Sequence, residues 1–94
     1  MAFQHIVVKV GTSTLTGGTP YLNRQRMLEL VQQVARLHQD GHSIVLVTSG
    51  AKAAGIERLG FPELARSVPA KQMLSAVGQS RLMHHYSEMF DIFD

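Results

Sequence analysis

The stretch IVVKVGTSTL, residues 6–15, is an apolar, β-branched run that admits one lysine, Lys9, and then breaks into a glycine and a string of hydroxyl residues. Val and Ile at this density favour an extended strand, and Gly11 ends it, so a strand is predicted over residues 3–10. An ammonium beside a packed sheet is costly unless it is paired, neutralised or led out to solvent. Two residues before Gly11, Lys9 can reach past the strand end toward an anion. Gly11 lets the backbone approach closely, and the N–H groups of Gly11, Thr12 and Ser13 can donate to phosphate oxygens. An edge-strand lysine that snorkels to water ahead of an ordinary turn would give the same pattern. The residues alone leave both readings open.

Working outward, TSTLTGGTPYLN (12–23) is turn-rich, with Gly17-Gly18 and Pro20. Asn23 caps a helix predicted to run to about Asp40. Met27, Leu30, Val31, Val34, Leu37 and His38 recur at three- and four-residue spacing, while Arg24, Gln32, Arg36 and Gln39 fill the other side. Gly41 stops it. SIVLV (43–47) is a continuous apolar run, read as a strand buried on both faces as in parallel sheets. TSGAKAAGIERLG then opens a short Ala-rich helix. Gly60, Pro62 and Pro69 bracket a loop, and a last helix is predicted from about Ala70 to Phe90. Its apolar stripe is Met73, Leu74, Val77, Leu82, Tyr86, Met89 and Phe90. Gly78 weakens that helix by up to about 1 kcal/mol relative to alanine, unless close packing is its purpose.

The order β-α-β-α-α describes an α/β fold with a parallel sheet and a right-handed crossover, residues 1–94 forming one partial domain. Two strands make a very small sheet with both edges open. The expectation is an incomplete sheet, completed by residues outside this chain or by a second copy of it.

Composition narrows the function. The 94 residues suffice for one small domain, and a 45% hydrophobic content is that of a globular protein. The net charge of +2 comes from cations dispersed along the chain, with two tyrosines and four phenylalanines for stacking, which argues against nucleic-acid binding. There is no cysteine, hence no disulfide or thiolate metal site. No apolar run reaches the roughly 18–20 residues of a membrane span, and no leader pattern opens the chain. A cytoplasmic protein without membrane partners is expected.

Chemistry is expected at the two strand ends, KVGTS (9–13) and TSGA (48–51), because ligands of open parallel sheets bind beyond the carboxyl ends of the strands. Lys9 precedes its glycine, so this is not a Walker A loop, and neither loop carries GxGxxG. Ser49-Gly50 offers a hydroxyl, a free N–H and the positive end of a helix, which suit a carboxylate or phosphate. Thr48 or Ser49 acting simply as a helix cap would use the same donors. Val47 occupies the position where a nucleophile elbow needs glycine, so a serine hydrolase is poorly supported. His38, His42, His84 and His85 lack carboxylates at ligand spacing and are read as surface or half-buried side chains, with no metal site. Met27, Met73, Met83 and Met89 are read as core filler.

Taken together, VVKVGTSTLTGG (7–18), GHSIVLVTSGAKAAG (41–55), LGFPEL (59–64) and KQMLSAVGQSRLM (71–83) resemble the amino-acid kinase family, in order and over essentially the whole chain. GQSRLM and LGFPEL favour its glutamate-phosphorylating members over the acetylglutamate, aspartate, carbamate and uridylate kinases. The resemblance implies transfer of the ATP γ-phosphate to the γ-carboxylate of L-glutamate, the first step of proline biosynthesis, with Mg²⁺; the open sheet edges add the expectation of a homo-oligomer. By motif position, Lys9 matches the catalytic lysine that binds ATP phosphates. Gly11, Thr12 and Ser13 match the phosphate-side loop, and Ser49, Gly50 and Ala51 match the glutamate site. Two departures stand out. Lys52 replaces an apolar residue of the family pattern, putting a charge against the sheet or into the glutamate pocket. The family's later segments, which supply an aspartate and an asparagine for glutamate and the contacts to base and ribose, have no counterpart in these residues. The 94-residue chain alone is therefore expected to be inactive. The rival expectation is a non-catalytic, self-associating module with a weak anion site at Lys9 and Ser49.

Overall fold

The computed structural model describes residues 4–60 and 68–93. Strand β1 (His5–Val10) is followed by helices α1 (Thr12–Thr16) and α2 (Arg24–Gln39), strand β2 (Ser43–Thr48), and helices α3 (Ala51–Arg58) and α4 (Val68–Phe93). β1 and β2 pair in parallel, His5 opposite Ser43 through Val10 opposite Thr48. This is the α/β parallel arrangement the strand–helix–strand order dictates. The expected first strand residue, Phe3, and most of the expected 60–69 loop, Pro62 included, lie outside the described residues.

Side chains alternate across the sheet with period two. Val8, Val10 and Leu46 turn toward the helices and meet a core of Leu15, Leu22, Met27, Val31, Ala54, Leu82 and Tyr86. The other face is bare: Val7, Val45 and Val47 are 65%, 57% and 46% exposed. The expectation that SIVLV is buried on both faces is thus corrected. A parallel sheet has two apolar faces, and among the described residues helices cover only one of them.

The segment read as a plain turn contains α1. Leu15 anchors it, fully buried, and the Gly17 N–H closes it on the Ser13 carbonyl at 2.8 Å. α2 begins where expected: the Asn23 side chain accepts a hydrogen bond from the Arg26 N–H at 3.1 Å. It ends at Gln39, and the Gly41 N–H reaches the His38 carbonyl at 3.0 Å. α4 is longer than predicted at both ends. Pro69 lies in its first turn, where the missing N–H would have had no intrahelical acceptor.

α4 buries Leu74, Gly78, Leu82 and Tyr86, one residue every four, against α3 and the core. A fully buried leucine such as Leu82 contributes about 1.5–3 kcal/mol. Met73 and Met83 fall beside this seam and are 43% and 39% exposed, so only Met27 and Met89 serve the core as expected. The crossing of α3 over α4 is made by two glycines. A Cβ on Gly55 would overlap the Leu74 carbonyl, and one on Gly78 would overlap the Ala51 carbonyl. The close-packing role of Gly78 is realised.

Candidate functional site

Both glycine–hydroxyl loops lie at the carboxyl ends of the paired strands, and they touch. The Ser49 N–H donates to the Val10 carbonyl at 2.8 Å, carrying the strand ladder one residue beyond β2. A Leu15 methyl of α1 lies where it would contact any side chain at Gly50. KVGTS and TSGA therefore form one edge of the molecule.

Lys9 stands opposite Val47 on the bare face, exposed, in line with Val7 and Val45. This removes the penalty its position in the strand would otherwise carry, because the ammonium never enters the core. It makes no ion pair or hydrogen bond with the described residues. Gly11 is the N-cap of α1, exposed and without a side-chain cap. The first N–H groups of a helix have no intrahelical acceptor, so those of Thr12 and Ser13 remain available to another partner.

Gly50 is the N-cap of α3, with φ 109°, a left-handed conformation that non-glycine residues rarely adopt. That turn sends the chain from β2 directly into α3, whose first-turn amides, beginning at Ala51, open beside the α1 loop. Neither Thr48 nor Ser49 caps the helix with its side chain, so the capping alternative is corrected. The Thr48 hydroxyl instead donates to the Ser49 carbonyl at 2.8 Å. Ser49 is exposed, and Ala51 is fixed from behind by Gly78. The structure thus brings Gly11, Thr12 and Ser13 to the same edge as Ser49, Gly50 and Ala51, with Lys9 two residues upstream on the open face.

Two further residues belong to this edge. Lys52 does not press on the sheet; it is exposed and lines a cavity of about 350 Å³ with Thr12, Thr16 and Thr19. Tyr86, counted in sequence only as part of an apolar stripe, places its hydroxyl 2.7 Å from the Thr48 hydroxyl oxygen. Its polar tip was the available signal, since a buried tyrosine usually finds a partner. Burial raises the Tyr86 pKa.

The histidines behave differently from their sequence reading in one respect. A carboxylate does sit at ligand spacing: His84 Nε2 is 2.6 Å from Glu88 Oε1, one helical turn away. Among the described residues, no three His, Asp or Glu side chains converge. An apolar cavity of about 330 Å³ lies between α2, β2 and the end of α4, lined by Val34, Ile44, Leu46, Phe90 and Phe93, and contains none of the candidate residues.

Comparison with known proteins bears on this edge. Residues 4–93 match the profile of the Amino acid kinase family. The chain is 57% identical over 89 residues to a glutamate 5-kinase of Herpetosiphon aurantiacus, covering 95% of this chain and 24% of that protein. It is 57% identical over 90 residues to glutamate 5-kinases of Escherichia coli O1:K1 / APEC and Salmonella paratyphi B, covering 96% of this chain and 24% of each relative. The chain therefore spans about a quarter of the length of these relatives. It belongs to the amino acid kinase family.

Proposed function

We propose that this chain carries the phosphate-side and glutamate-side loops of an ATP-dependent glutamate 5-kinase, the enzyme that phosphorylates the γ-carboxylate of L-glutamate at the start of proline biosynthesis. The observation that carries the reading is the 2.8 Å hydrogen bond from the Ser49 N–H to the Val10 carbonyl, which makes the two loops one surface. Phosphoryl transfer asks chiefly for positioning and charge neutralisation. Lys9 neutralises charge on the transferring group, and the N–H groups of Gly11, Thr12 and Ser13 hold phosphate oxygens. The Ser49 hydroxyl and the amides of Gly50 and Ala51 orient the glutamate.

These groups fit phosphates and a carboxylate: a cation, hydroxyls and N–H donors. They do not build a Mg²⁺ site of their own, because protein-held Mg²⁺ is usually anchored by carboxylates and neither loop carries one. In this reading ATP supplies the phosphoryl group and its phosphates carry the metal. No described helix is long and apolar enough to cross a membrane, and the proposed setting is the cytoplasm.

The 94-residue chain alone is proposed to bind without turnover. Backbone amide resonances measured during separate titrations with ATP–Mg²⁺ and L-glutamate test the reading. Shifts centred on Gly11–Ser13 for ATP and on Ser49–Ala51 for glutamate are expected. Shifts that avoid both loops sink it. A hydroxamate trap for acyl phosphate is expected to stay empty, and an accumulating hydroxamate would overturn the proposed inactivity.

The bare valine face favours a second reading, a module that associates through its sheet without catalysis. Sedimentation over a range of concentrations tests it. A strictly monomeric species that binds both ligands at the loops dismisses it.

A further inference from the structure

Away from the loops, the start of α2, the end of α3 and the middle of α4 enclose a polar cavity of about 200 Å³. Each helix contributes one guanidinium: Arg24, Arg58 and Arg81. We propose that this cleft is a binding site for a phosphate dianion, gripped by the three arginines from three separate helices. The proposal stands independently of the kinase reading, since α3 carries the chain about 10 Å from Ala51 to Arg58.

The charge balance makes the case. Among the described residues one carboxylate, Glu57, lines the cleft against three guanidinium groups, leaving two positive charges unmatched. Glu57 is already engaged: its Oε2 accepts the Leu22 N–H at 3.1 Å and lies 3.6 Å from Arg24 Nη1. That ion pair is longer than a charge-assisted hydrogen bond of about 2.7–2.9 Å, so the Arg24 fork is not saturated. Arg24 Nη1 also donates weakly to the Leu22 carbonyl at 3.3 Å. Arg58 and Arg81 make no ion pair or hydrogen bond with any described residue. Planar guanidinium forks match phosphate oxygens in pairs, and a phosphate near neutral pH carries about 1.5 to 2 negative charges, the amount the cleft lacks. Among the described residues the lining offers no aromatic platform apart from the His85 ring, so the cleft suits the phosphate group itself and not a base attached to it.

His85 supplies a built-in reporter. Its pKa is lowered first by burial and then by Arg24 and Arg81 across the cleft; His84 adds to the lowering and Glu88 opposes it. A dianion beside the arginines reverses their effect on the ring. By linkage, phosphate binding raises the His85 pKa, and protonated His85 in turn binds phosphate more tightly.

The test follows the His85 imidazole resonances of the 94-residue chain through a pH titration, with inorganic phosphate and with chloride at equal ionic strength. A saturable rise in the His85 pKa with phosphate alone is expected. Arg58→Gln and Arg81→Gln should each weaken phosphate roughly ten- to a hundredfold, as losing a charged hydrogen-bond donor does. Lys9→Gln should leave the His85 response unchanged, which separates this cleft from the strand-end loops. An unmoved His85 pKa, an equal rise with chloride, or tighter binding of succinate than of phosphate overturns the proposal. Should an arginine variant fail to fold, the unsubstituted chain's own titration decides.

Discussion

The Tyr86 hydroxyl, carried on α4, lies 2.7 Å from the Thr48 hydroxyl at the end of β2. Thr48 spends its own proton on the Ser49 carbonyl at 2.8 Å, so Tyr86 is the donor to Thr48. A buried side chain on the longest helix thereby sets the backbone of the serine loop through two hydrogen bonds. Its ring packs near Phe90, with 6.5 Å between centroids.

Tyr86→Phe keeps the ring and deletes the donor. The loss should be about 1 kcal/mol, the net worth of one internal hydrogen bond. In urea, the unfolding midpoint should fall with no change in slope. Amide exchange at Ser49 should accelerate more than exchange in the centre of α2. Unchanged protection at Ser49 would show that the tyrosine only fills space.

The same residue gives the fold an alkaline limit. Burial raises the folded-state pKa of Tyr86 above its ordinary value of 10.0. Between 10.0 and that raised value the unfolded chain has released a proton that the folded chain keeps. Stability is therefore intact below pH 10 and declines as pH rises through the folded pKa, by at most about 1.4 kcal/mol per pH unit. Chemical denaturation at several pH values should show a steeper alkaline decline for the unsubstituted chain than for Tyr86→Phe. Identical pH slopes for the two proteins would contradict this.

Residues that are close in sequence declared themselves; residues that meet across the fold did not. IVVKV and SIVLV are strands because β-branched side chains favour extended backbone, and Asn23 marks a helix start by its own hydrogen bond. α1 is not legible in the sequence because TSTLT has four weak helix formers, and what holds it, the burial of Leu15 and the Gly17 N–H on the Ser13 carbonyl, belongs to the folded chain. Tyr86 and Thr48 are 38 positions apart, and nothing local to either announces the other. The positions of the two loops were legible from the strand ends. Their contact is tertiary, made by the Ser49 N–H and by Leu15 against Gly50. The bare valine face inverts the expectation for the second strand: an apolar run records that both faces are to be covered, not which residues cover them.

Gly78→Ala sets two effects against each other. Helix propensity alone favours alanine by up to about 1 kcal/mol. The new methyl, however, would occupy the position of the Ala51 carbonyl, where backbone has little room to yield. Overpacking of this kind costs roughly 1–3 kcal/mol, so packing should win and the variant should be destabilised. Ala51 opens α3, so its amide resonance should shift as well. A stabilised variant would mean that the two helices separate without penalty.

Val45→Thr and Val31→Ala make the matching contrast across the sheet. Val45 faces solvent in the described structure, whereas Val31 is fully enclosed by the core. Surface substitutions generally stay within about 0.5 kcal/mol, so Val45→Thr should leave the unfolding midpoint almost unmoved. Val31→Ala removes two buried methyl groups and should cost roughly 1–3 kcal/mol. If the valine face mediates self-association, Val45→Thr should also lower the scattering intensity of concentrated solutions, while Val31→Ala should not. A large loss of monomer stability from Val45→Thr would require a cover on that face that the described residues do not provide.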